Sequence, residues 1–224
     1  MTFGKATAIR QSADSRHRRH FGFNATRDAI MSTARAIMRE DGVGALNLSE
    51  IARRMGMKTP SLYTYFDGKH ALYDALFREG WRAYAARTRA LAERHGATLG
   101  VLEAAIEDYM RFADENPDLY ALMFERPVPG FVPSPESIAE AAALLEELYA
   151  RMGGLIDAGA VRSGLDAHET SELFLAVMHG LTALKRANEP NAAIGTGRFG
   201  SLVPAAARLL RAAWQGDETG GGRP

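Results

Sequence analysis

Apolar residues recur along this chain at intervals of three and four, and no segment shows the alternation of a strand. Ile30, Ala34, Ile37 and Met38 form one stripe of a helix that the pattern starts near Asn24, with Gly42 and Gly44 as its stop. Leu48, Ile51, Ala52 and Met55 form a second, shorter stripe, opened by Asn47 and Glu50 at the spacing of a capping box and closed by Gly56. Thr59 is placed to cap a third helix, with Pro60 at its tolerated first position. After Gly68 a long helix is expected from Lys69 to His95, carrying Leu72, Tyr73, Leu76, Phe77, Trp81 and Tyr84.

Further helices are expected at about 98–114 and 117–125, followed by the proline-rich loop ERPVPGFVPSP. Ser134 and Pro135 open another that reaches Ala158, and Asp166 with Glu169 forms a capping box for one ending near Asn188. A glycine-containing linker at 190–200 precedes a last helix at 201–215. The expected fold class is all-α. Its expected divisions are a flexible basic arm at 1–23, a helix-turn-helix head at 24–68, a larger helical domain at 69–215 and a disordered tail at 216–224.

The short third helix carries the most chemistry. Leu62 and Phe66 lie four apart and face inward, whereas Pro60, Ser61, Tyr63 and Thr64 point away from them and Tyr65 sits on the flank. These polar tips have no room inside. A DNA major groove would offer them base edges and phosphates, and Lys69 stands where it can reach a phosphate. Tyr63 and Tyr65 also read as boundary core residues with wet hydroxyls, so each is expected to serve both ends, ring packed and hydroxyl exposed.

Charge sharpens this picture. The 27 basic and 27 acidic residues cancel overall, yet residues 1–75 hold 12 Lys and Arg against 7 Asp and Glu, leaving the remainder net acidic. A basic first third suggests a polyanionic partner. The chain has no cysteine, which excludes disulfides and thiolate metal sites. His17 and His20 have a metal-like spacing, but nothing completes a site, so no metal or other cofactor is expected. No apolar run is long enough for a membrane span, and the expected location is the cytoplasm. No H-E-x-x-H, phosphate-cradling glycine loop or nucleophilic triad points to an enzyme.

The span from Arg27 to Leu72 resembles the DNA-binding domain of TetR-type bacterial transcriptional regulators. The resemblance rests on AIMSTARAIMREDGVGALNLSEIARRMGM, then TPSLYTYF, then Lys69 and Leu72. It implies a homodimer that binds a DNA operator and responds to a small-molecule effector. Its DNA contacts would be Asn47, Ser49, Thr59, Pro60, Ser61, Tyr63, Thr64, Tyr65 and Lys69. Lys58 replaces the small capping residue of many relatives, so the cap would shift to Thr59 and Lys58 would point at the DNA backbone. The segments ENPDLYALMFERP and LAVMHGLTAL also resemble a ligand-domain subtype with a Trp-His-Gly motif. Met178, His179 and Gly180 match its later part, without the Trp.

Helices 166–188 and 201–215 are apolar on more than one face, which calls for a second partner surface and predicts a four-helix dimer interface. A thick monomer core is the alternative. Tyr109, Phe112, Tyr120, Phe124, Phe174, Met178 and His179 are the candidate lining of a cavity for a hydrophobic ligand, with Met110, Met123 and Met152 beside them. The expected function is a repressor bound to a near-palindromic operator and released by that ligand. The alternative is a helical small-molecule carrier with a vestigial DNA-binding head.

Overall fold

A computed structural model describes residues 3–215 apart from 97 and 163, with side chains described from residue 22. Ten helices are assigned among the described residues: α1 (Phe3–Asp41), α2 (Leu48–Arg54), α3 (Thr59–Leu62), α4 (Lys69–His95), α5 (Leu102–Glu115), α6 (Pro117–Phe124), α7 (Pro135–Asp157), α8 (Ala167–Asn188), α9 (Gly197–Gly200) and α10 (Val203–Gln215). Single 3-10 turns at Val43–Ala45 and Leu99–Val101 complete them. None of the described helices is long and apolar enough to cross a membrane.

Two expectations change. Helix α1 begins at Phe3, well before the apolar stripe starts near Asn24, so most of the stretch read as a flexible arm carries helical backbone. No proline interrupts residues 3–41, and periodicity reports a buried face rather than helix as such. The linker at 190–200 contains one helical turn, α9, whose first amides are held by Glu189. The tail from residue 216 lies outside the described residues.

The caps explain the boundaries. Asp166 and Glu169 make both bonds of the expected box. At α2 only half of it forms. Asn47 Oδ1 accepts from Ser49 N at 2.8 Å, whereas the Glu50 carboxylate turns away to Arg53 and Arg54, which hold its pKa down at about 2. At α3 the cap position falls to Lys58, which has no acceptor and makes no side-chain cap bond; Thr59 is the first helical residue.

Two hydrophobic cores share the interior. One holds the head: Ile30, Ala34, Ile37, Ile51, Leu62 and Phe66 pack with Leu72, Tyr73 and Leu76 of α4. The other joins α5, α8 and α10 through Ile106, Tyr109, Met110, Met178, Val203 and Trp214. Helix α6 belongs to both, giving Leu119, Leu122 and Met123 to the first and Tyr120 to the second. It crosses α4 at Gly80, where an added Cβ would lie 2.5 Å from Met123 Sδ.

An ionic knot ties the first turn of α6 to α1. Asp118 is 2% exposed. It accepts from Arg35 Nε at 2.7 Å and Arg39 Nε at 2.9 Å, while Arg35 also reaches Glu79 and Asn116. Burial alone would raise the Asp118 pKa, but the hydrogen bonds and charges of the two arginines prevail and lower it. Because the folded-state value lies below the unfolded value of about 4, the stabilisation is complete above that pH. It is lost as pH falls through the folded-state value.

Asp118→Asn is therefore expected to destabilise the fold by about 3 kcal/mol at neutral pH. The gap from wild type should narrow below about pH 4. Denaturant midpoints at both pH values check this; a gap of constant size would contradict the ionic reading.

Candidate functional site: an exposed polar turn and an internal cavity

Glycines at positive φ set the head. Gly56 (φ 64°) ends α2 and turns the chain toward α3, and Gly68 (φ 142°) separates α3 from α4. Leu62 and Phe66 are buried, at 1% and 5% exposure, and anchor α3 to the core. After Leu62 the spiral tightens. Tyr63, Thr64 and Tyr65 donate to the carbonyls three residues back, and Phe66 N returns to Leu62 O at 3.0 Å. The tightening keeps both anchors inward and leaves the residues between them outside.

Lys58, Pro60, Ser61, Tyr63 and Thr64 are exposed, as are Asn47 and Ser49 on α2. Tyr63 is 54% exposed, which rules out the boundary-core reading for its ring in this chain. Thr59, Tyr65 and Lys69 are half-buried. The Tyr65 ring stacks on Phe23 of α1, with centroids 4.7 Å apart and planes 26° from parallel. Lys69 Nζ donates to the Gly44 carbonyl at 3.3 Å and lies 5.5 Å from the Tyr73 ring centre. The Tyr73 hydroxyl donates to Val43 O at 2.6 Å. The start of α4 is thus tied to the turn after α1. The structure gathers the ten candidate residues on α2, the α3 spiral and the first turn of α4. Asn47 has one constraint, since its carbonyl oxygen is already used as a cap.

A cavity of about 460 Å³ lies between α4, α5, α7 and α8. Tyr109, Phe124, Phe174, Met178 and His179 line it. Phe112 and Tyr120 do not: Phe112 packs behind Tyr84 in the first core, and Tyr120 lies behind Tyr109 and Phe124 under the Arg186 guanidinium. Met152 lines the wall, but Met110 and Met123 are buried away from it. Residues not proposed from sequence supply much of the rest, notably Trp81 and Tyr84 of α4 and Leu144, Leu148 and Leu155 of α7. The α7 leucines recur at helical spacing, a signal that marks a buried stripe without telling core from cavity.

The cavity is lined mainly by apolar groups, in the size range of small-molecule sites. His179 shares a hydrogen bond with the Tyr109 hydroxyl, 2.8 Å from Nδ1. Burial holds the His179 pKa below its usual 6.5, so the imidazole is neutral at pH 7. The charged lining groups are paired: Asp108 with Arg87, Arg151 with Glu147, and Glu172 with the Tyr149 hydroxyl. Among the described residues no group of His, Asp and Glu is arranged to hold a metal.

Two segments match known family models: residues 30–76 the bacterial regulatory proteins of the tetR family, and residues 102–193 the tetracyclin repressor-like C-terminal domain. The HTH-type transcriptional activator FasR of Mycolicibacterium smegmatis is 27% identical over 142 residues, spanning 63% of this chain and 62% of that protein. A crystal structure of a putative regulatory protein superposes with a TM-score of 0.70 at 27% identity, covering 85% of this chain and 97% of that one. The transcriptional regulator FadR from Bacillus subtilis, in complex with stearoyl-CoA, shares the fold at 18% identity and a TM-score of 0.63, covering 83% and 97%. With a helix-turn-helix head, a helical domain behind it and family matches over more than half of its length, this chain belongs to the TetR family of bacterial regulatory proteins.

Proposed function

We propose that the protein is a DNA-binding transcriptional repressor whose homodimer binds a near-palindromic operator and is released by a small hydrophobic ligand. The observation that carries the reading is the α3 spiral: two buried anchors, with Pro60, Ser61, Tyr63 and Thr64 exposed between and beside them. This helix lacks arginine and asparagine, so direct readout falls to hydroxyl, methyl and ring contacts together with DNA shape.

An unpartnered face on α8 and α10 supports the dimer. Leu173, Gly180 and Leu184 follow one stripe of α8 and are exposed; Leu202, just before α10, and Leu209 on it are exposed as well. Nothing lies within 4 Å of the position a Gly180 Cβ would take, and a glycine there leaves the backbone open to close approach by a second copy. A two-fold interface presents the same patch from both subunits, as helices 166–188 and 201–215 would do.

The cavity supports the ligand. Its wall residue Phe124 ends α6, the helix held by the head at both ends: Asp118 binds Arg35 and Arg39, and Phe131 in the following loop packs on Tyr73. A ligand that spreads α4 from α7 would shift α6, and with it the head. Its leverage equals its difference in affinity for the two arrangements. A second reading, in which the bound dimer activates transcription, is favoured by the FasR relative, which is named an activator. Transcription from a retained promoter separates the two: repression requires output to fall on adding protein.

Sequencing the genomic DNA that the purified protein retains tests the central reading, and retention of no preferred sequence would overturn it. Lys69→Ala is expected to weaken binding evenly across sequences and lower the salt slope by about one; Thr64→Ala should instead alter preference at one or two base pairs. Leu209 is 72% exposed. Leu209→Glu should leave the fold intact, yield monomers by sedimentation and abolish operator binding at concentrations where wild type binds.

A further inference from the structure

The cavity has a polar end and an apolar end. Helices α4 and α5 run antiparallel through the turn at 96–101, so Leu91 and Leu102 share the end beside that turn. Leu99, Met152 and Leu155 continue the wall there. Tyr84 and Tyr109 stand seven residues away on the same two helices, about 10 Å off at 1.5 Å per residue. Their rings lie 5.4 Å apart, and the His179 ring lies 4.9 Å from Tyr109 and 4.7 Å from Phe124. On α4 the lining runs from Trp81 to Ala92, about 16 Å.

Hydrogen-bonding capacity is left over at the polar end. The Tyr84 hydroxyl reaches the Met178 sulfur at 4.0 Å, a weak acceptor. Thr88, one turn on, is engaged elsewhere, donating to the Tyr84 carbonyl at 3.0 Å. The Tyr109 hydroxyl lies 2.8 Å from His179 Nδ1 and 3.0 Å from Nε2. One oxygen cannot lie along both nitrogen directions, and a neutral imidazole has one donor and one acceptor nitrogen. Tyr109 therefore satisfies one of them and leaves the other for a further group. Polar groups this far inside a protein are ordinarily paired.

The charges on the wall speak against an ionic ligand. Asp108 and Glu172 stand against Arg151, and all three already have partners. A carboxylate brought into the cavity would lose its hydration and meet no free cation among the described lining residues. At roughly 30 Å³ for a water-sized group, 460 Å³ admits about fifteen non-hydrogen atoms.

We infer that the ligand is an uncharged amphiphile, a slender hydrocarbon body with one carbonyl or hydroxyl head, held with its head between Tyr84 and His179 and its body along α4 and α7 toward Leu91 and Leu155. The inference rests on the cavity as the effector site and adds the chemical class and the orientation of what fills it. The head then sits against Phe124, at the end of the cavity that α6 closes.

The test titrates three probes into the full-length protein at pH 7 by calorimetry: dodecan-2-one, dodecanoate, and hexylbenzene as a body without a head. Dodecanoate is expected to bind at least about tenfold more weakly than the ketone, because its charge must be buried unpaired. Tyr84→Phe and His179→Phe should each weaken the ketone roughly three- to tenfold and leave hexylbenzene within about twofold of wild type. Dodecanoate binding as tightly as the ketone overturns the inference. So does ketone affinity unchanged in either variant, or an equal loss for ketone and hexylbenzene, which would mark a merely structural role. Binding of none of the three overturns the cavity as a ligand site. Ketone binding in the expected pattern without any loss of DNA binding leaves this inference standing and overturns release by ligand instead.

Discussion

The rest of the structure depends on a single buried carboxylate. Asp118, at the second position of α6, is closed from water and held by Arg35 and Arg39 of α1. Such a charge is tolerable inside only while both partners stay in place. The pairing therefore fixes α6 against the head at one end. At the other, Val128 and Phe131 sink into the head's core around Tyr73. Between these fixed ends the helix presents Tyr120 and Phe124 to the rings around the cavity.

This arrangement makes the boundary between head and helical domain mechanical rather than spatial. The head's core continues through α4 as far as Phe77 and takes in Phe112 and the inner face of α6. Tyr84 and Phe124 touch both cores. Helix α4 joins the α3 turn to the cavity wall, and paired charges with α7 stiffen it: Arg82 with Glu140 and Arg89 with Glu147, seven residues apart on both helices. Packed protein interiors switch between discrete arrangements more readily than they deform. A molecule filling the cavity thus meets two rods, α4 and α6, that both end in the head.

Much of this was legible in the sequence. Positions 30–38, 48–55, 69–95 and 166–188 announced their helices because each carries at least one apolar face and its ends carry glycines or caps, and these are local properties. The outward face of α3 followed from the spacing of Leu62 and Phe66 alone. Other features were not legible. Glu50 had the spacing of a capping box but found two arginines closer at hand. The first half of α1 carries no apolar stripe, so periodicity had nothing to report there.

The sequence by itself determined the helices that carry an apolar stripe, where glycines and caps stop them, and which side chains of the α3 turn are left outside, since these depend on neighbours within a few positions. Only the tertiary structure decided which buried aromatics face empty space. Phe112 and Phe124 read alike along the chain, but one is enclosed behind Tyr84 and the other borders the cavity. It also decided that Asp118 would meet Arg35 and Arg39 across about 80 residues of intervening chain. Hydrophobic burial has no direction of its own, so the vacancy and the partners arise only once several helices have met.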